Sequence, residues 1–176
     1  MSYEITNEQL AWLAGIIDGE GCITAGAYPS KVRRADGSPG YRLSLFVSVT
    51  NTNEDIILTV NELFAALTTV KPIFHIHDSN ARVKNHLTQK TCYRVHVAGG
   101  LQVTRVLTAV LPYLVGKRKQ AEALLAIVKH RKAICEKAGR RGAGTRVDQD
   151  MWLRAQLATM RDLNWRGPAR TFKGLT

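Results

Sequence analysis

Between residues 42 and 51 the chain alternates with a period of two. Leu43, Leu45, Val47 and Val49 are aliphatic, whereas Arg42, Ser44, Phe46, Ser48 and Thr50 occupy the intervening positions. Such alternation predicts a strand with one buried face. Upstream, Leu10, Leu13, Ile16 and Ile17 follow Thr6 and Gln9, which stand at capping-box spacing, so a helix is predicted over 7–20, ended by Gly19 and Gly21. Ile23, Ala25 and Ala27 alternate with Thr24, Gly26 and Tyr28, giving a strand over 22–30 and a polar hairpin loop over 31–40. Asn53 is a helix cap followed by Glu54 and Asp55, with Ile56, Val60, Leu63 and Leu67 on the apolar face of the helix it opens. Two further strands are predicted over 71–78 and 90–98, joined by a polar loop at 79–88. Helices follow over 100–114, bent or ended at Pro112, and over 117–137, with Ala121, Leu124, Leu125 and Val128 on one face. A Gly/Arg-rich linker at 138–146 leads to a last helix from Asp148 to about Asn164 and a basic tail.

Two hairpins separated by a helix imply an α+β fold with one four-stranded antiparallel sheet, helices on one face and the other face open. The open face then carries Arg42, Ser44, Phe46, Ser48 and Thr50, with no acid among them. An ordinary solvated sheet face mixes both signs, so this composition favours a nucleic-acid surface. Charge points the same way. Lys and Arg number 25 against 14 Asp and Glu, a formal net charge of +11, which favours a polyanionic partner. No run is apolar enough to cross a membrane. Glu4 and Glu8 and the lack of a basic stretch before an apolar run argue against a secretory signal. Cys22, Cys92 and Cys135 form neither a disulfide framework nor a zinc pattern and read as small packing groups, so a reducing intracellular compartment is expected. His75 and His77 share a strand face opposite Phe74 and Ile76, too few ligands for a zinc site.

The strongest chemical signal is residues 13–21, Leu-Ala-Gly-Ile-Ile-Asp-Gly-Glu-Gly. Ala11, Gly15 and Gly19 fall on one helix stripe and allow a second backbone to approach closely. Glu20 stands at the negative pole of the helix dipole, a locally unfavourable place for a carboxylate. The three cations Lys117, Arg118 and Lys119 open a helix at its positive pole, so local stability does not explain them either.

This segment resembles the LAGLIDADG motif of homing endonucleases. Leu13, Ala14, Gly15, Ile17, Asp18 and Gly21 match as written, Ile16 replaces leucine, Gly19 replaces alanine, and Glu20 stands for the second aspartate. The likeness in element order, αββαββα, runs through residues 1–137, leaving 138–176 as a linker and C-terminal extension. With one motif copy, the chain is most similar to the single-motif, homodimeric branch, its dimer contact formed by Ala11, Gly15 and Gly19.

The resemblance implies site-specific double-strand DNA cleavage with Mg²⁺ or Mn²⁺. Glu20 and the Gly19 carbonyl would be metal ligands, Asn51 would order water, and Lys117, or else Lys119, would be the catalytic lysine. If the strands lie in the major groove, the readers are the outward side chains Thr24, Tyr28, Ser30, Arg42, Ser44, Ser48, His75, His77, Arg94 and His96. Arg33 and Arg34 at the hairpin tip and Lys119 would add phosphate or outer-base contacts, and Arg42 is the best-placed guanine reader. Two copies imply a pseudo-palindromic target of about 20 base pairs. Double-stranded DNA and a second copy are the expected partners, with no membrane and no small-molecule substrate. An organelle or a prokaryotic cytoplasm is the expected location. A non-cleaving binder of the same fold, such as an intron maturase, is the alternative.

Overall fold

The computed structural model describes residues 4–33, 37, 39–77, 90–137 and 150–165. Its first helix, α1 (Asn7–Glu20), opens on a capping box: Thr6 Oγ1 accepts from the Gln9 N–H, and Gln9 Oε1 accepts from the Thr6 N–H. The helix stops at Gly21, the first residue of β1 (Gly21–Arg33). A Cβ at Gly21 would stand 2.6 Å from the Ile17 carbonyl oxygen. The strand can therefore turn back over the helix end only if that residue is glycine.

β2 (Pro39–Asn51) pairs with β1 in an antiparallel register that sets Gly21 opposite Val49 and Tyr28 opposite Arg42, with an irregularity between Pro29 and Arg33. Both strands extend further into the 31–40 region than the alternation predicts, because ladder pairing does not require an alternating pattern. β1 is an edge strand, the place where Pro29 costs no ladder bond. Asn53 caps α2 (Glu54–Leu67) by accepting from the Asp55 and Ile56 N–H groups. β3 (Ile73–His77) and β4 (Cys92–Ala98) complete one antiparallel sheet in the order β1-β2-β4-β3. The predicted loop at 79–88 lies outside the described residues.

α3 (Gly100–Val110) runs into a 3₁₀ turn, Leu111–Tyr113, so the expected interruption at Pro112 takes the form of a tightened final turn. α4 (Arg118–Lys137) follows. The last helix, α5 (Met151–Leu163), begins later than the sequence suggests, because Asp150 rather than Asp148 is its cap: the Asp150 carboxylate accepts from the Leu153 N–H. Asp148, the linker 138–146 and the basic tail lie outside the described residues.

A single core fills the space between the sheet and the helices. Leu43, Leu45, Val47 and Val49 meet Leu13 and Ile17 of α1, Val60 and Phe64 of α2, Val106 of α3 and Leu124 of α4. Leu153 and Met160 of α5 are fully buried in the same cluster. α5 is held further by Asn164 Nδ2, which donates to the Ile23 carbonyl at 2.9 Å, and by Gln120 Nε2, which donates to the Leu163 carbonyl. Among the described residues, no helix is long and apolar enough to cross a membrane.

Candidate catalytic turn and nucleic-acid interface

Three residues of the α1 terminus have different fates. Asp18 turns inward, and its carboxylate accepts from the N–H groups of Val115 and Lys117 at 2.7 Å and of Gly116 at 3.1 Å. It thus satisfies the donors of the turn that leads into α4, about a hundred residues away. Burial raises the Asp18 pKa, but these three donors and the Lys117 charge outweigh burial and hold it below the ordinary aspartate value. Glu20, two residues on and so about 200° around the helix, is exposed. Among the described residues its carboxylate takes part in no hydrogen bond or ion pair. Gly19 between them is exposed as well.

Lys117 closes the turn from below. It is 7% exposed, and its ammonium donates to the Ile17 carbonyl at 2.9 Å and to the Asp18 carbonyl. A cation at these carbonyls sits at the favourable end of the α1 dipole. Arg118 donates to the Leu114 and Pro112 carbonyls. Lys117, unfavourable by local pattern, is thus explained by carbonyls about a hundred residues away, and Arg118 by the carbonyls four and six residues before it. Lys119 is exposed.

Asn51 ends β2, and its Oδ1 accepts from the Asn53 N–H at 2.8 Å. The register that pairs Gly21 with Val49 carries Asn51 two residues further along, to the end of the sheet where Glu20 stands. The structure thus gathers Gly19, Glu20, Asn51 and Lys117 around one corner of the fold. The outward stripe of α1 runs up to that corner. Ala11, Gly15 and Gly19 are exposed, and among the described residues nothing lies within 4 Å of a Cβ built at Gly15 or Gly19. Packing among the described residues gives no reason for glycine at either position.

The sheet face away from the helices carries Thr24 and Tyr28 of β1, Arg42, Ser44, Phe46, Ser48 and Thr50 of β2, Arg94 and His96 of β4, and His75 and His77 of β3. No carboxylate appears among these residues. Ser48 lies on this face but is 3% exposed, because the Arg94 side chain crosses it and donates to its Oγ at 3.4 Å. The His75 ring stacks on His96, with centroids 5.3 Å apart and planes 4° apart, and lies 6.0 Å from His77. Burial lowers the His96 pKa, with Arg94 and His75 acting in the same sense. Cys22 is exposed rather than serving as a packing group. Ser30 and Arg33 belong to β1, but their side chains lie outside the described residues, as does Arg34 entirely.

Two residues to which the sequence assigned no role have defined partners. Asp18 is one; its signal was its 200° offset from Glu20 on a single helix. His130 is the other: its Nε2 lies 2.7 Å from Asp150 Oδ2, and its ring lies 4.2 Å from that of Trp152. This contact ties the cap of α5 to α4. Among the described residues, no group of three or more His, Cys, Asp or Glu is placed to hold a metal.

An acidic glycine-rich helix end opens here directly into a four-stranded antiparallel sheet, as in LAGLIDADG homing endonucleases, to which the chain is similar in sequence and in fold. Its curated relatives include the DNA endonuclease I-CvuI of Chlorella vulgaris, 32% identical over 123 residues, which span 69% of this chain and 64% of that protein. A crystal structure of I-CvuI in complex with a DNA target and Mg, with the DNA not cleaved, superposes with a TM-score of 0.62 at 22% identity, covering 93% of this chain and 86% of that one. The archaeal intron-encoded homing endonuclease I-Vdi141I complexed with DNA superposes with a TM-score of 0.62 at 13% identity, covering 92% and 87%. At these identities the superpositions speak to the fold. No family model matches the sequence.

Proposed function

We propose that this chain is a site-specific DNA endonuclease that acts as a two-fold dimer and makes a double-strand cut in a pseudo-palindromic target of about 20 base pairs. One observation carries the reading. Asp18 and Lys117 are committed to fixing the α1 terminus, while Glu20 is left open beside an acid-free sheet face. The Glu20 carboxylate and the Gly19 carbonyl are hard oxygen donors, the set that Mg²⁺ or Mn²⁺ takes. One carboxylate is not a complete site, which fits a cation that draws its remaining oxygens from water, DNA phosphate and a second copy. When bound, such a cation supplies charge neutralisation at phosphorus and a more acidic water.

In this reading Glu20 and Gly19 hold the cation. Asn51 orients water at the same corner. Lys117, buried against the carbonyl end of α1, keeps the acid-bearing turn in place and adds positive charge near the scissile phosphate. Lys119, exposed two residues further on, contacts the phosphate backbone. Ala11, Gly15 and Gly19 form the two-fold contact, where small residues allow the paired helices to approach. That contact brings one Glu20 to each DNA strand. Thr24, Tyr28, Arg42, Ser44, His75, His77, Arg94 and His96 face the major groove, with Ser48 beneath them. The protein would then work where its DNA target is kept, in an organelle or a prokaryotic cytoplasm.

The test is direct. Purified protein is incubated with a plasmid carrying the uninterrupted form of its host gene, with Mg²⁺ or with EDTA. A discrete double-strand cut in Mg²⁺ alone is expected. Tight specific binding without any cut would instead favour a non-cleaving binder of the same fold.

A further inference from the structure

We infer that Phe46 is a positioning residue that holds the Arg94 guanidinium ready for the edge of a guanine in the major groove. The inference rests on the DNA-binding reading of the open face. β2 and β4 are the two inner strands of the sheet, so Phe46 and Arg94 stand near its middle rather than at an edge. Arg94 is paired with Thr50, yet its side chain runs along β2, over Ser48, to Phe46. The guanidinium carbon lies 5.6 Å from the Phe46 ring centroid, within cation–π range. Register neighbours of Phe46 are Thr24 and Ala98, both small, so the ring is not crowded from either side. His96 meets Phe46 edge-on at 6.4 Å and is itself stacked on His75, which buttresses the ring.

This is a costly way to place an arginine that only keeps the surface wet. Nε of Arg94 is buried without a hydrogen-bond partner, and no carboxylate among the described residues pairs with the guanidinium. Ser48 takes one of its N–H groups. Those left at the Nη atoms form the planar fork that matches guanine O6 and N7. An arginine free in water must freeze several rotatable bonds to make that contact, and here the Phe46 ring and Ser48 have already restricted them.

The experiment profiles binding to a randomised half-site library with wild-type protein, Arg94→Ala, Phe46→Leu, Phe46→Tyr and the double variant Phe46→Leu/Arg94→Ala. Melting temperatures are recorded alongside. Arg94→Ala should lose guanine preference at one symmetric pair of positions by about five- to a hundredfold. Phe46→Leu, which keeps the bulk but not the ring, should relax preference at the same pair by a smaller factor. Its binding to non-specific DNA and the salt dependence of that binding should not change. Phe46→Tyr should retain the wild-type profile, and Phe46→Leu should add nothing in the Arg94→Ala background. An unchanged Phe46→Leu profile overturns the inference, as does an effect that persists without Arg94. So does an Arg94→Ala variant weakened equally on all sequences with a shallower salt slope, the mark of a phosphate contact. Wild-type protein that binds no duplex at all overturns the DNA reading, and the inference falls with it.

Discussion

Asp18 and Glu20 lie two residues apart in the same helix turn, and the fold uses them in opposite ways. Asp18 is saturated: three backbone N–H groups from the turn just before α4 converge on its carboxylate. Glu20 is exposed and its carboxylate is unpaired among the described residues. Helical geometry separates the two side chains by about 200°, so one must face the protein if the other faces outward. The inward acid spends its charge on folding, and the outward acid leaves its charge open to solvent. The lesson is that a carboxylate within a motif is assigned by where its oxygens go, not by its residue type.

The comparison can be broken at several points. After Glu20 itself, the largest effect is expected at Lys117, which in the proposed function serves both sides. Lys117→Ala should lower the single-turnover cleavage rate by about a hundred- to a thousandfold and should also lower the melting temperature, since the α1 carbonyls lose their cation. A fall in melting temperature with an unchanged rate would confine Lys117 to folding. Gly15→Leu comes next. It should raise the dimer dissociation constant about tenfold or more, because the added side chain blocks close helix approach. Its monomer should fold at least as well as wild type, given the open space around Gly15 and the better helix propensity of leucine. Sedimentation together with thermal melting separates the two effects.

Asp18→Ala should cost about 1–2 kcal/mol, a typical loss for a helix cap, or a fall in melting temperature of about 2–8 °C for a chain of this size. The smallest effect is in pH. The folded-state pKa of Asp18 lies below its unfolded value. Its contribution is therefore complete above about pH 4, the ordinary aspartate value. It is lost as pH falls through the lower folded-state value. Asp150 is depressed in the same direction: burial raises its pKa, but the Leu153 N–H and His130 outweigh it. Denaturant titrations between pH 6 and pH 3 should accordingly show an acid-side loss of stability that Asp18→Asn reduces but does not abolish. An identical acid limb in Asp18→Asn would mean that its carboxylate is not the charged group assigned here.

Much of this arrangement was legible in the sequence. Alternation over 42–51 gave the phase of the open face, and the glycine-bearing motif marked Glu20. What remained hidden depends on contacts between distant segments. The carboxylate of Asp18 acts on backbone 97–99 residues further along, and no local pattern announces such a partner. The same holds for Lys117: its position at a helix start looked unfavourable until the α1 carbonyls stood beside it. Asp148 and Asp150 are equivalent caps by composition, and the choice between them follows from the Leu153 and His130 contacts of Asp150. His75, His77 and His96 read one by one as outward, DNA-facing side chains, and their stack exists only because β3 pairs with β4.

The central claim is that Glu20 is the acid of a metal-dependent cut and contributes nothing to the fold. Glu20→Gln tests it, with cleavage in Mg²⁺, duplex binding and thermal melting measured on one preparation. The account predicts wild-type melting and binding, with cleavage reduced by about a thousandfold or more. Cleavage by Glu20→Gln at close to the wild-type rate would contradict it.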